Sequence, residues 1–263
     1  MSNDSVRRAG GKRRAVTKKG MVLACCALVF SAARGGAQID TTGQWRYSVT
    51  PYGWLLSLHG RVGVGPVAAN ADVSFRDLLK TLRFGFMVES EVRHGRWFGA
   101  MDVMYASLGK ENTIAFRGDT GTLELSGKLA IIQPVGGYTI GNKTWAVDFL
   151  GGFRQWDMRT TLDVDVTRRP SNPHTLSRGW PDATAGLRFR ALPYKKLHVI
   201  AGGNGGGGGS HGTWQGYAMV GYDAWSKVAL GAAYRYLSVN YEDDVFLFDA
   251  RLRGPAIGAT IHW

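Results

Sequence analysis

From residue 45 onward, apolar and polar residues alternate with a period of two, not the 3.6 of a helix. In 97–107, Trp97, Met101, Val103 and Tyr105 share one face and Asp102 takes the other. In 145–154, Trp145, Val147, Phe149 and Phe153 oppose Asp148 and Arg154. In 180–191, Ala183, Ala185, Leu187 and Phe189 oppose Asp182, Thr184, Arg188 and Arg190, and in 213–223, Trp214, Ala218, Val220 and Tyr222 oppose Gln215 and Asp223. Successive side chains of a strand point to opposite faces, so each segment reads as a strand with one apolar and one polar face. Ten such segments follow one another: 45–64, 83–94, 97–109, 121–141, 144–164, 178–192, 196–204, 212–223, 227–241 and 246–263. Their connections alternate between tight (Gly95-Arg96, Asn142-Lys143, 193–195, 224–226) and longer or more polar (65–82, 110–120, 165–177, 205–211, 242–245). The pattern predicts an all-β, antiparallel up-and-down barrel of about ten strands; the glycine-rich 196–211 leaves eight or twelve open.

Several apolar faces carry an aromatic near each end, as Trp97 with Tyr105 and Trp214 with Tyr222 do. Eight intervals at ~3.3 Å, tilted by about 40°, set such rings roughly 20 Å apart along the barrel axis, near the height of a bilayer's apolar band. Trp97, Tyr105, Trp145, Trp214, Tyr222, Tyr234 and Tyr236 are therefore expected as interfacial aromatics on a transmembrane barrel. No run of eighteen apolar residues follows Ala37, so a spanning helix is excluded there. In 74–82, Phe75, Leu78, Leu79 and Leu82 fall at helical spacing behind Ser74, which predicts a short amphipathic helix in a loop. The run 202–209 is glycine with one Asn and is expected to be a flexible loop tip. In 246–263 the alternation changes phase at Gly254-Pro255, where a bulge is expected to keep one apolar face outward and Asp249, Arg251 and Arg253 inward.

Composition supports closely spaced strands: 37 of 263 residues are Gly, beside nine Trp, ten Tyr and eleven Phe. The net charge of +12 suggests nucleic acid until it is located. Residues 1–37 hold eight Lys or Arg and one acid, so seven of those charges lie there, and the mixed remainder argues against a phosphate-tracking surface. A basic start, an apolar run over 21–33 and the small residues Gly35, Gly36 and Ala37 predict a secretory signal peptide over 1–37, cleaved after Ala37 or Ala33, and a barrel domain over 38–263. Cys25 and Cys26 both fall inside the leader, so the mature chain has no thiol for a disulfide or a metal.

Phase assigns sixteen charged residues to the lumen: Glu89, Glu91, Arg93, Asp102, Glu124, Lys128, Asp148, Arg154, Asp182, Arg188, Arg190, Asp223, Arg235, Asp249, Arg251 and Arg253. Acids and bases are equal in number, and a barrel of eight to ten strands has little more room than its side chains fill. Ions of both signs can pair there, whereas a selective pore tends to show a ring of one sign. The expectation is a plugged or narrow barrel. No catalytic, cofactor-binding or metal-binding set emerges: the glycine run lacks the Lys-Ser/Thr pair of a phosphate loop, and no Cys/His spacing suggests zinc. Omptin-like proteases carry an Asp-x-His element, and none of His59, His94, His174, His198, His211 or His262 has Asp two residues before it. A triad could be assembled from Ser57 with His59 or from Ser210 with His211, but neither pair sits in a motif.

The terminal strand, ending Ile257, Ala259, Ile261, Trp263 on one face, resembles the closing strand of Gram-negative outer-membrane barrels. Further motifs are Trp45-x-Tyr47-x-x-Thr50-Pro51-Tyr52-x-Trp54, Ala71-Asp72-Val73-Ser74-Phe75 with Asp77-Leu78-Leu79, Gly95-Arg96-Trp97, Thr213-Trp214-Gln215, Gly221-Tyr222, Tyr234-Arg235-Tyr236 and Gly254-Pro255. Together they resemble a widespread, largely uncharacterised family of proteobacterial outer-membrane barrels. The resemblance implies residence in the outer membrane, lipid and the barrel assembly machinery as partners, and the terminal strand as the assembly signal. It transfers no mechanism. A non-enzymatic structural or small-solute role is expected; the alternatives are an outer-membrane hydrolase acting on lipid or peptide at the rim and a soluble secreted ligand-binding barrel.

Overall fold

The computed structural model describes residues 43–64, 67–116, 119–166 and 174–263, so the leader over 1–37 lies outside the described residues. The elements are β1 (Trp45–Trp54), β2 (Ser57–Val64), β3 (Val67–Val73), α1 (Phe75–Thr81), β4 (Leu82–His94), β5 (Trp97–Phe116) and β6 (Asp119–Gly141). They continue with β7 (Trp145–Val166), β8 (His174–Tyr194), β9 (Leu197–Gly208), β10 (Gly212–Asp223), β11 (Val228–Glu242) and β12 (Phe246–His262). β1 and β4 to β12 form a closed, antiparallel ten-stranded barrel in which β12 returns to β1, and β2 and β3 are added at the end away from the termini. Closure leaves no unpaired edge around the main wall, the condition for backbone to sit in lipid. The tight turns and both ends of the described barrel lie at one end, here the turn end; the opposite end is the loop end.

The predicted strand 45–64 is β1 and β2 in succession, interrupted only at Leu55 and Leu56. Both run along β12 in one register, from Ser48 opposite His262 to Trp54 opposite Ala256, then from Ser57 opposite Arg253 to Val64 opposite Phe246. On the other flank β1 pairs with β4 and β2 with β3, with α1 between them. The helix forms where the spacing predicted it: Ser74 Oγ accepts from the Asp77 amide at 3.3 Å, Asp77 stands in the first turn and Lys80 in the last, each matching the helix dipole. The strand β3 was not predicted, because Val67-Ala68-Ala69-Asn70-Ala71-Asp72-Val73 is too weakly alternating to signal one.

Two expectations are corrected. The run 202–209 is not a loop tip: through Gly208 it belongs to β9, hydrogen-bonded to β8 and β10 on both sides. Bare backbone is needed there. A Cβ on Gly206 would overlap the Ala183 carbonyl oxygen, and one on Gly202 would stand 2.8 Å from the Tyr217 hydroxyl. The bulge expected at Gly254-Pro255 also does not occur. Even-numbered residues Phe246, Phe248, Ala250, Leu252 and Ala256 are buried along β12 while Arg251, Arg253, Pro255 and Ile257 are exposed, with unbroken pairing to β11.

What changes at Gly254 is the surroundings. From Pro255 to Trp263 the outer face is apolar, as a lipid-facing wall requires, with Ile257 60% exposed; beyond it the outer face carries Arg251 and Arg253 and the apolar side chains turn inward. The loop-end half is thus built as a water-soluble barrel, polar outside and apolar within. Strands there outlast the predicted ones, absorbing much of 110–120 and part of 165–177, because the ladder continues above the level where lipid enforces alternation.

Gly206→Ala is expected to destabilise the barrel by ~1–3 kcal/mol, as forced overpacking does. Gly212→Ala, where an added Cβ meets nothing within 4 Å, is expected to be neutral. The temperature at which the compact, fast-migrating form is lost on gels checks both.

Candidate functional site

The inward faces of the strands converge on a lumen filled in two tiers. Nearest the turn end, Asp148 on β7 is fully buried and receives three guanidinium groups. Arg190 binds it through Nε (3.0 Å) and Nη2 (2.9 Å), Arg188 through Nε (2.8 Å) and Arg93 through Nη2 (3.1 Å), while the Thr139 hydroxyl donates at 2.7 Å. Glu91 accepts from Arg188 Nη2 at 2.5 Å and from Arg93 Nε. The Phe98 ring packs against the guanidinium carbons of Arg93 and Arg188, 4.7 and 5.0 Å from its centroid. Strand register explains the convergence: Asp148 lies opposite Arg188, with Arg190 one inward position along.

Deeper in, Arg235 bonds Asp102 (2.9 Å), the Tyr52 hydroxyl (3.0 Å) and Gln215 Oε1 (2.6 Å), and Tyr52 donates to Asp102 at 2.7 Å. Next comes Arg154, fully buried, which donates to neutral acceptors: Gln133 Oε1 at 3.2 and 3.1 Å, Thr213 Oγ1 at 2.6 Å and Asn204 Oδ1 at 2.7 Å. Asp182, directly across the ladder from Arg154, instead takes the Ser210 amide and hydroxyl at 2.7 and 2.8 Å. At the turn-end mouth, His198 Nε2 and Asp223 Oδ1 are 2.7 Å apart.

Above Arg154 the filling becomes apolar. Trp156 and Trp180 stack at 5.8 Å, Tyr241 stacks on Trp180 at 3.7 Å, and Phe248 meets Trp156 edge-on at 6.3 Å. Ile131, Leu237, Val239, Phe246 and Leu252 complete this plug. Two cavities lie below it among the described residues. One of about 150 Å³ is lined by Tyr52, Glu89, Asp102, Arg188 and Tyr217; one of about 190 Å³, nearer the turn end, is lined by Glu91, Arg190, His198, Asp223 and His262. Glu89 borders both and is held only loosely, 3.7 Å from Arg188. None of the plug's aromatic rings lines either cavity.

Of the sixteen charged residues assigned to the lumen, the structure brings eleven to the inner face: Glu89, Glu91, Arg93, Asp102, Asp148, Arg154, Asp182, Arg188, Arg190, Asp223 and Arg235. Four are corrected. Lys128 is exposed on the outer face of β6, where Ile131 and Gln133 mark the inward parity, and Asp249, Arg251 and Arg253 point outward because β12 keeps its phase. Glu124 lies outside the residues whose side chains are described. His262 is buried against the lumen. The aromatics Trp97, Trp145, Trp214, Tyr222 and Tyr234 are exposed on the outer wall, as are Ile257, Ile261 and Trp263 of the terminal strand, with Ala259 on the same face. The plug aromatics escaped notice as a set, since Trp156, Trp180 and Tyr241 share an inward face only once ten strands are closed.

Neither Ser/His pair forms a triad. His59 Nδ1 sits 2.7 Å from Asp72 Oδ1 and is engaged there rather than with Ser57. Ser210 is buried against Asp182, whereas His211 faces a hollow of about 560 Å³ at the loop-end rim, lined also by Arg61, Glu242, Asp243 and Asp244. The Asp243 carboxylate is occupied: it accepts from the Val245 and Phe246 amides (2.8 and 2.6 Å), Arg178 Nε (2.7 Å) and the Tyr241 hydroxyl (3.0 Å). Among the described residues no group of three His, Cys, Asp or Glu side chains is placed to hold a metal ion.

No protein-family model and no curated protein matches the sequence. Solved structures do. The outer membrane protease OmpT from Escherichia coli superimposes with a TM-score of 0.56 at 6% identity, over 86% of this chain and 99% of that one. The translocator domain of autotransporter NalP from Neisseria meningitidis (TM-score 0.44, 12% identity, 85% and 90% covered) and Ail from Yersinia pestis (0.35, 12%, 84% and 99%) also match. At these identities the likeness is one of fold. The chain shares the fold of Gram-negative outer-membrane β-barrels, in which the short turns lie on the periplasmic side and the longer loops on the extracellular side.

Asp148→Asn would leave three buried guanidinium groups facing an amide, and removing one partner of a buried ion pair typically costs ~3–5 kcal/mol. Urea unfolding in micelles is expected to show a loss of that order. Burial favours the neutral form of Asp243, but the Val245 amide, Tyr241 hydroxyl, Phe246 amide and Arg178 outweigh it and hold the carboxyl at about 2. Because this value lies below that of an unfolded Asp, near 3.9, its contribution is full above about pH 4 and lost as pH falls through about 2. Protection of the Val245 and Phe246 amides from hydrogen exchange, relative to their intrinsic rates at each pH, is expected to fall in that window.

Proposed function

We propose that this protein is a non-enzymatic, structural barrel of the outer membrane, closed to ion flow, with a lumen that admits only solvent and small solutes from the periplasmic side. The observation that carries this reading is the two-tier filling, an arginine–carboxylate lattice at membrane level beneath a plug of Trp156, Trp180, Tyr241, Phe246 and Phe248. An ion crossing it would have to displace paired guanidinium groups and then pass an apolar core, where desolvation is costly. On the same reading the leader over 1–37 directs export and is removed, the face Ile257, Ala259, Ile261 and Trp263 serves the assembly machinery, and lipid is the standing partner.

The test is single-channel recording of the refolded protein in planar bilayers. The parent is expected to show no resolvable steps, and a variant carrying Trp156→Ala, Trp180→Ala and Phe248→Ala is expected to leak. Steps from the parent would overturn the reading.

The rim hollow supports a second reading, an outer-membrane hydrolase, because it gathers His211 with Glu242, Asp243 and Asp244 on a fold similar to that of an outer membrane protease. Against it, Asp243 is committed to the β11–β12 turn and to Arg178. Hydrolysis of fluorogenic peptides or lipid esters that His211→Ala abolishes would favour this reading over the first.

A further inference from the structure

The outward turn of Arg251 and Arg253 creates a feature that neither the lumen nor the rim hollow uses. Pairing of β12 with β11 and β2 sets two rows across the outer wall: Tyr236, Arg253, Ser57 and, one step toward the loops, Ser238, Arg251, His59. Parity places all six outward, since Leu237, Leu252 and Leu58 between them pack toward the core. The grid offers two guanidinium groups, three hydroxyls and an imidazole, a donor set suited to phosphate oxygens, which Arg can engage through two parallel hydrogen bonds. Neither arginine has a hydrogen bond or ion pair among the described residues. The nearby acids are Asp249, two residues beyond Arg251 on the same face, and Asp72, which holds His59.

Depth narrows the source of the phosphate. Below the grid, the outer face of β12 reads Pro255, Ile257, Ala259, Ile261, Trp263. From Trp263 to Arg253 there are ten intervals, which at ~3.3 Å and a tilt of about 40° rise roughly 25 Å, the height of the apolar band. Arg253 is therefore the first outward residue above the hydrocarbon on its strand, at the level of outer-leaflet head groups. A free cation at that level gains from an anionic lipid and would otherwise be left to water. We infer that the grid centred on Arg251 and Arg253 is a docking site for a phosphate-bearing lipid of the outer leaflet.

The test uses the full-length protein extracted in a neutral detergent, with native mass spectrometry reading the retention of lipid A and of dephosphorylated lipid A. With each arginine worth about fivefold, Arg251→Gln/Arg253→Gln is expected to weaken retention of the phosphorylated lipid by about thirtyfold. Removing the phosphates should have a comparable effect on the parent, and the double variant should bind both lipids alike. Lys128→Gln removes an exposed cation elsewhere on the outer wall and is expected to change little; heat-modifiability on gels confirms that each variant folds. Equal retention by parent and double variant, or an equal loss with Lys128→Gln, would overturn the site. Displacement of lipid A by millimolar inorganic phosphate would overturn the assignment to lipid.

Discussion

The closing seam is the constraint on which the rest of this structure depends. β12 pairs with β1 and then β2 in one register from Ser48–His262 to Val64–Phe246, and with β11 from Val228–Ile261 to Glu242–Leu247, without a slip. A ladder without a bulge cannot change the parity of its side chains, so whatever faces inward at the turn end faces inward along the whole strand. Two consequences follow from one register. His262 and Ala256 share an inner face with Leu252, Phe248 and Phe246, and Ile257 shares an outer face with Arg253 and Arg251.

The change of solvent along the barrel then explains its chemistry. At membrane level, lipid claims the apolar residues for the outside, and the inside must be polar and internally satisfied. Asp148 meets that demand with three guanidinium groups and a hydroxyl, and Glu91 shares two of those arginines. Arg154 meets it with neutral acceptors from Gln133, Thr213 and Asn204, which spread its charge without a carboxylate. Above the membrane the outside is water, and the interior becomes an ordinary apolar core around Trp156 and Trp180. The closed lumen is the sum of these two solutions stacked end to end, with small cavities near Glu89.

The bare backbone of β9 belongs to the same logic. A narrow barrel with large inward side chains, Tyr217 and the Arg188 group among them, needs one wall without bulk, and the glycines from Gly202 to Gly208 provide it. Composition alone suggests flexibility for such a run; pairing on both sides makes it wall.

Period-two alternation, aromatic pairs and alternating turn lengths were enough to read a ten-stranded barrel, the Ser74-capped helix and the inward acids and arginines of β4, β5, β7, β8, β10 and β11 from the chain itself. These are local signals, repeated over segments where lipid on one side enforces a clean pattern. The sequence showed the pattern inverting at Gly254-Pro255 but not the cause, because a phase change in hydrophobicity looks the same whether the chain slips by one residue or the solvent outside it changes. Nor could it show that Asp148 gathers three arginines from two strands, or that Trp156, Trp180 and Tyr241 stack, since those residues meet only when distant strands are brought into register. Which face of β12 carries Arg251 and Arg253 was decided by closure, through hydrogen bonds to strands that begin almost two hundred residues earlier.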